Sequence, residues 1–284
     1  MNINRDTIRL LSFFLSFLLL TSCNEDEFGN NSDIPDTSDE ITFEIGFAPQ
    51  TRVSTGADFI NAWENGDAIG LFAVRHNGSG GTLAASDNYI HNVKLTFNGT
   101  DWMPETPLYY PGADKLDFYA YYPYRATAIN PTAIVFNVQP DQYASTDFKS
   151  SDFMLSTPLT DITKGETVNL SFNHKLALLQ VKVSNQTGTA INNNFRVTLS
   201  AVTPQITANL SDGSITSSGT PAGITLYPFD ATTYIYRAIV PAAASSQRTM
   251  EFRQESPTIY NIYTGTFALP TAGATELEIT LKAN

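Results

Sequence analysis

From Ile41 to Phe47 the chain alternates without a break. Ile41, Phe43, Ile45 and Phe47 face one way, and Thr42, Glu44 and Gly46 face the other. A period of two marks a strand that buries one face. The same pattern recurs over 68–74, 93–97, 116–122, 134–138, 168–172, 176–183, 195–199, 206–210, 233–239, 250–253, 259–267 and 276–281, and no longer window carries a helical stripe. The chain therefore reads as all-β.

Turn residues separate these runs. Asn65-Gly66, Asn77-Gly78, Asn98-Gly99 and Asp212-Gly213 supply the positive φ of tight turns, and 98–101 reads as a hairpin ahead of Trp102. Short strands at regular spacing predict stacked antiparallel sheets. Near residues 160–170 the composition shifts from tyrosine-rich to Thr, Ala, Val and Ile. The expected division is one β-sandwich over 41–165 and another over 166–284. A single continuous sandwich is the alternative. No repeat of solenoid or propeller length is present.

The first 22 residues have a different character. Arg5 and Arg9 precede the apolar run Leu10–Leu20, which is shorter than the roughly 20 residues of a membrane-spanning helix. This is the layout of a secretory signal peptide over 1–22. Leu20-Thr21-Ser22-Cys23 resembles a lipobox, which makes Cys23, the only cysteine, the expected lipidation site on a gram-negative outer membrane. Residues 23–40 are polar and are expected to form a disordered tether. The acidic patch Asn24-Glu25-Asp26-Glu27 resembles a surface-export signal; a solvated leader is the alternative.

Removing residues 1–22 takes away two arginines and one aspartate, leaving 14 basic and 27 acidic residues, net −13. A chain so acidic lacks the basic footprint of a nucleic-acid binder.

Catalytic signals are weak. His76, His91 and His174 are far apart in sequence and form no HExxH pair. His76 reads as a turn-flanking surface residue and His174 as a structural hydrogen-bonding residue. Gly78-Ser79-Gly80-Gly81 lacks the lysine of a phosphate loop, and no nucleophile elbow occurs. No catalytic residue, cofactor or metal site is expected. The aromatic cluster Trp102, Tyr109, Tyr110, Tyr119, Tyr121, Tyr122 and Tyr124 suits either core filling or stacking on sugar rings. Alternation in 116–122 puts Leu116, Phe118, Ala120 and Tyr122 on one face, Tyr119 and Tyr121 on the other.

Four segments, in order, resemble the fimbrillin-like proteins, the family of the type V pilins. They are Thr51-Arg52 with Phe59–Phe72 around Gly66-Asp67-Ala68-Ile69-Gly70; Trp102, Pro107–Pro111 and Leu116–Pro123; Asp141-Gln142 and Ser151–Met154; and Leu170–Ala177 around Phe172-Asn173-His174-Lys175-Leu176-Ala177. The resemblance implies two transthyretin-like, Greek-key sandwiches. It also implies maturation of a surface lipoprotein by cleavage after an arginine that follows the first strand. Arg52 occupies that position; a plain loop arginine is the alternative.

Such a cut would release residues 23–52 and leave a slot lacking Ile41, Phe43, Ile45 and Phe47. Each fully buried side chain of this size stabilises by about 1.5–3 kcal/mol, so the slot invites a donated strand. Leu277, Ile279 and Leu281 share one face of the C-terminal run and form the possible donor; that run is alternatively the last strand of its own domain. The expected function is a fimbrial structural or accessory subunit that joins other fimbrial subunits at the cell surface and supports adhesion to host or bacterial ligands. The alternative is a surface glycan-binding lipoprotein.

Overall fold

The computed structural model describes residues 39–48 and 62–283. Its elements in chain order are β1 (Phe43–Phe47), β2 (Ala68–Arg75), β3 (Ile90–Phe97), β4 (Trp102–Pro104), β5 (Leu116–Tyr122), β6 (Ile134–Asn137), the short helix α1 (Ser145–Ser150), β7 (Met154–Ser156), β8 (Leu159–Ile162) and β9 (Val168–His174). Then come β10 (Ala177–Gln186), β11 (Arg196–Val202), β12 (Gln205–Ala208), β13 (Ile215–Ser218), β14 (Ala222–Thr225), β15 (Tyr227–Asp230), β16 (Ile235–Val240), β17 (Ala243–Gln254), β18 (Ile259–Leu269) and β19 (Ala274–Lys282).

The all-β expectation holds. Every alternating run named above falls on a strand, and the 98–101 turn joins β3 to β4 with Phe97 opposite Trp102. Asn98 closes it by accepting the N–H groups of Thr100 and Asp101.

A large sheet runs β1-β9-β7-β5-β2-β3-β4, with β8 paired to β5. Two four-stranded sheets, β15-β16-β10-β19 and β14-β11-β17-β18, share one apolar core, in which Val181, Ile279 and Leu281 join Val197, Met250 and Phe252. A third small sheet runs β13-β12-β6. The chain passes from the large sheet to a four-stranded one at Lys175 and Leu176, beyond the expected boundary at 165/166. Before that boundary, β6 already pairs with β12.

The half-buried strand pattern is corrected at the centre of the large sheet. Both faces of β2 and β5 are covered. Ile69, Leu71, Leu116, Phe118 and Ala120 enter one core, while Phe72, Val74, Tyr119 and Tyr121 enter the core that continues into the C-terminal sheets. Strands covered on both faces need not alternate in polarity.

Asp117 is the polar exception on β5. Its carboxylate is fully buried, accepts the N–H groups of Gly81 and Asp161, and lies 2.8 Å from His76 Nδ1. His76 is accordingly not a surface histidine: its side chain is only 15% exposed and ties the 76–81 loop to β5.

Candidate functional site

The first strand is where the described structure and the sequence-derived site residues meet. β1 is an edge strand paired parallel to β9, with Phe43 opposite Val168, Ile45 opposite Leu170 and Phe47 opposite Phe172. Its other flank reaches the far end of the same sheet. The Ile41 N–H donates to the Leu108 carbonyl at 2.7 Å, and the Tyr110 N–H donates to the Asp39 carbonyl at 2.9 Å. Glu40 bridges Tyr109, and Asp39 pairs with Lys164. The sheet therefore curls, and β1 with the residues before it closes the gap. Asp39 and Glu40, expected in the tether, belong to this closure.

The inward side chains seal the core beneath. Ile41 and Ile45 are buried, and Phe43 and Phe47 pack half-buried against it. Phe43 meets Phe118 edge-on at 6.4 Å. Phe47 stacks on Trp63 at 4.4 Å, and the Trp63 indole N–H donates to the Ile45 carbonyl at 3.2 Å. Behind Trp63 stand Trp102, Phe172 and Tyr122, with ring centroids at 5.0, 5.6 and 5.4 Å. A cleft lined by Phe47, Trp63, Tyr122, Phe148, Asp152 and Arg237 opens beside them.

His174 ends β9 and is buried. Its Nδ1 lies 2.9 Å from Asp152 Oδ2, and its ring faces Phe47 at 6.2 Å. The third and fourth resemblance segments are thus joined by one buried polar pair. Gln142 of the third segment is also structural: it is fully buried, accepts the Ile239 N–H and donates to the Ile239 carbonyl. Sequence reasoning missed Trp63 as a site residue. Its position ahead of the Asn65-Gly66 turn was visible, but nothing in a one-dimensional pattern placed it over Phe47.

The other expected site residues fall elsewhere. Leu277, Ile279 and Leu281 point inward from β19, which pairs parallel to β10 from Leu178 to Gln186 in its own chain. Lys182 holds Glu278 at 3.0 Å across that pairing. Cys23 and Arg52 lie outside the described residues, as do 1–22 and the rest of the tether. Among the described residues, no helix is long and apolar enough to cross a membrane, and no three His, Cys, Asp or Glu side chains gather as a metal site.

The aromatic cluster fills cores rather than offering a sugar platform. Trp102, Tyr110, Tyr119 and Tyr121 are 7% exposed or less, and Tyr109, Tyr122 and Tyr124 are half-buried. Burial, reinforced by the Glu166 carboxylate, pushes the Tyr110 phenol up to about 12. Tyr121, Tyr122 and Tyr236 are raised further, chiefly by burial. An unfolded tyrosine ionises near 10.0, so between that value and the folded one the unfolded chain holds fewer protons. The part of the stability linked to these tyrosines is therefore full below pH 10 and falls as pH rises above it. Urea titrations at pH 8 and pH 11, with tyrosinate absorbance alongside, should show the midpoint dropping before the buried phenols ionise; an unchanged midpoint would contradict this.

Comparison with known proteins gives a consistent set of relatives. The fimbrillin-like family matches residues 51–284. A provisionally named fimbrium tip subunit, Fim1C of Bacteroides ovatus, is 30% identical over 153 residues, which are 49% of this chain and 27% of that protein. A provisionally named fimbrium subunit, Fim1C of Bacteroides uniformis, is 28% identical over 177 residues, 61% of this chain and 54% of the relative. The matches thus span no more than about half of these curated relatives. The crystal structure of a provisionally named cell adhesion protein from Bacteroides uniformis superposes with a TM-score of 0.62 at 22% identity, covering 87% of this chain and 94% of that one.

Proposed function

The chain belongs to the fimbrillin-like family, and on that premise we propose that it is a non-enzymatic fimbrial subunit assembled by exchange of its first strand. It is exported through the signal peptide, anchored to the outer membrane through a lipid on Cys23 and presented at the cell surface. Cleavage after Arg52 then frees β1, and a strand from another fimbrial subunit takes its place. The assembled fimbrium supports adhesion. The two-sandwich, transthyretin-like organisation belongs to the same proposal.

The observation that carries this reading is the seat of β1. It is short, lies at a sheet edge and runs parallel to its neighbour β9. Yet it covers a continuous apolar face, and the residues just before it bond the backbone of Leu108 and Tyr110. Removing such a strand exposes a preformed ladder and side-chain pockets, which is what strand addition recognises.

An arginine-specific protease tests the proposal. Lipid-free protein starting at residue 24 should lose the segment through Arg52 and then form SDS-resistant ladders when mixed with partner subunits. Arg52→Ala should block both steps. A cut product that stays monomeric under those conditions, or an Arg52→Ala protein that assembles normally in cells, would sink the exchange reading.

A further inference from the structure

Phe47, the last residue of β1, lies against two flat rings that are nearly parallel to it. The Trp63 indole stacks on one side at 4.4 Å and 24°, and the His174 imidazole faces the ring at 6.2 Å and 15°. Neither ring belongs to β1, and both lie beyond Arg52, so both stay with the subunit when residues 23–52 leave. Both are also held from behind. Trp102 and Phe172 meet Trp63 edge-on at 88° and 86°, and Asp152 holds His174.

We infer that Trp63 and His174 form a clamp that reads an aromatic side chain on whatever strand occupies the place of β1. The partner is then an extended segment of another protein, running parallel to β9, with an aromatic residue opposite Phe172 and an apolar one opposite Leu170. The inference rests on the exchange reading and specifies its partner.

The clamp has two parts with different selectivity. The Trp63 N–H contacts a backbone carbonyl, that of Ile45, so any strand in register satisfies it. The ring contacts are selective, because a planar ring stacks on Trp63 and lies beside His174 and an aliphatic chain does not. Main-chain bonds of this kind supply affinity, and alternate side-chain pockets supply specificity.

The chain's own β19 is a poor match. Its inward residues Leu277, Ile279 and Leu281 are all aliphatic. It is also engaged along Leu178–Gln186, with Lys182 bound to Glu278. The β19 of a second copy therefore offers no ring for the clamp, whereas a strand of a different subunit with an aromatic residue at that register does.

The test uses the lipid-free chain from residue 24 with a sequence-specific protease site inserted after Arg52. After cutting, fluorescein-labelled peptides are titrated by anisotropy: residues 39–48, the same with Phe47→Ala or Phe47→Tyr, and residues 274–282. The 39–48 peptide and its Phe47→Tyr form should bind similarly. Losing the half-buried, stacked ring should weaken binding of the Phe47→Ala peptide roughly tenfold or more, and the 274–282 peptide should bind no better. In Trp63→Ala protein the gap between the Phe47 and Ala peptides should shrink to a few-fold; Trp63→Leu serves if the alanine variant folds poorly.

Equal binding of the Phe47 and Ala peptides to the intact clamp would overturn the inference and leave strand exchange standing. So would full discrimination in both Trp63 variants, or tight binding of 274–282. Failure of the 39–48 peptide to bind at all would overturn both.

Discussion

A chain from which residues 41–47 are deleted, with the rest intact, should unfold at a much lower urea concentration than the full chain. Ile41 and Ile45 are buried, and Phe43 and Phe47 are half-buried. Taking about 1.5–3 kcal/mol for each full burial and half that for the two phenylalanines, the loss is roughly 5–9 kcal/mol, an upper range because the unfolded chain also hides some surface. Domains of ordinary size have only about 5–15 kcal/mol in total. The backbone loses as well: the pairing from Phe43 to Phe47 with β9 and the Ile41 bond to Leu108 both go. Val168, Leu170 and Phe172 would meet water. Adding the 39–48 peptide should restore part of the midpoint. A deletion with an unchanged midpoint would mean that β1 is not a structural part of its sheet, and the slot on which strand exchange depends would not exist.

Gly70→Ala should be a strongly destabilising single methyl. A Cβ built at Gly70 falls 2.0 Å from Cε1 of Tyr121, directly opposite on β5. That ring cannot swing away. It is fully buried, and its hydroxyl lies 2.8 Å from Asn92 Oδ1 and 2.9 Å from the Arg125 carbonyl, while accepting the Arg125 N–H at 3.0 Å. Overpacking of this kind costs about 1–3 kcal/mol and sometimes more. In a protein of this size each kcal/mol lowers Tm by roughly 2–4 °C. A thermal melt should therefore fall by several degrees. Tyr121→Ala in the same chain should make the extra methyl nearly neutral, because the clash and not the glycine's flexibility is the cause. Additive losses in the double variant would show that Gly70 matters for some other reason.

Gly70 also shows how a family-like segment becomes physics. In the sequence it closes the run Gly66-Asp67-Ala68-Ile69-Gly70. Gly66 has φ +96, which a turn requires; Gly70 has no such conformation and is small only because Tyr121 lies over it. The two glycines look alike in one dimension and have different causes in three.

Much of this protein was legible beforehand. The period of two placed most of the strands and the correct inward faces of β1 and β19, because a side chain's direction along a strand is a local property. Turn residues placed the β3–β4 hairpin for the same reason. Most other strands of three or four residues, such as β7, β8 and β13 to β15, are too short to show a period, and they emerge only from pairing.

Partner choice was beyond local reading. That Phe43 lies opposite Val168, that β19 runs parallel to β10, and that β2 and β5 are covered on both faces are consequences of contacts between distant segments. The sequence by itself determined an all-β chain, its acidic surface, its family and an amphipathic first strand. Only the tertiary structure decided that this strand closes a curled sheet with its last ring against Trp63 and His174. Alternation states which way a side chain points, whereas burial and stacking depend on what the rest of the chain brings to meet it.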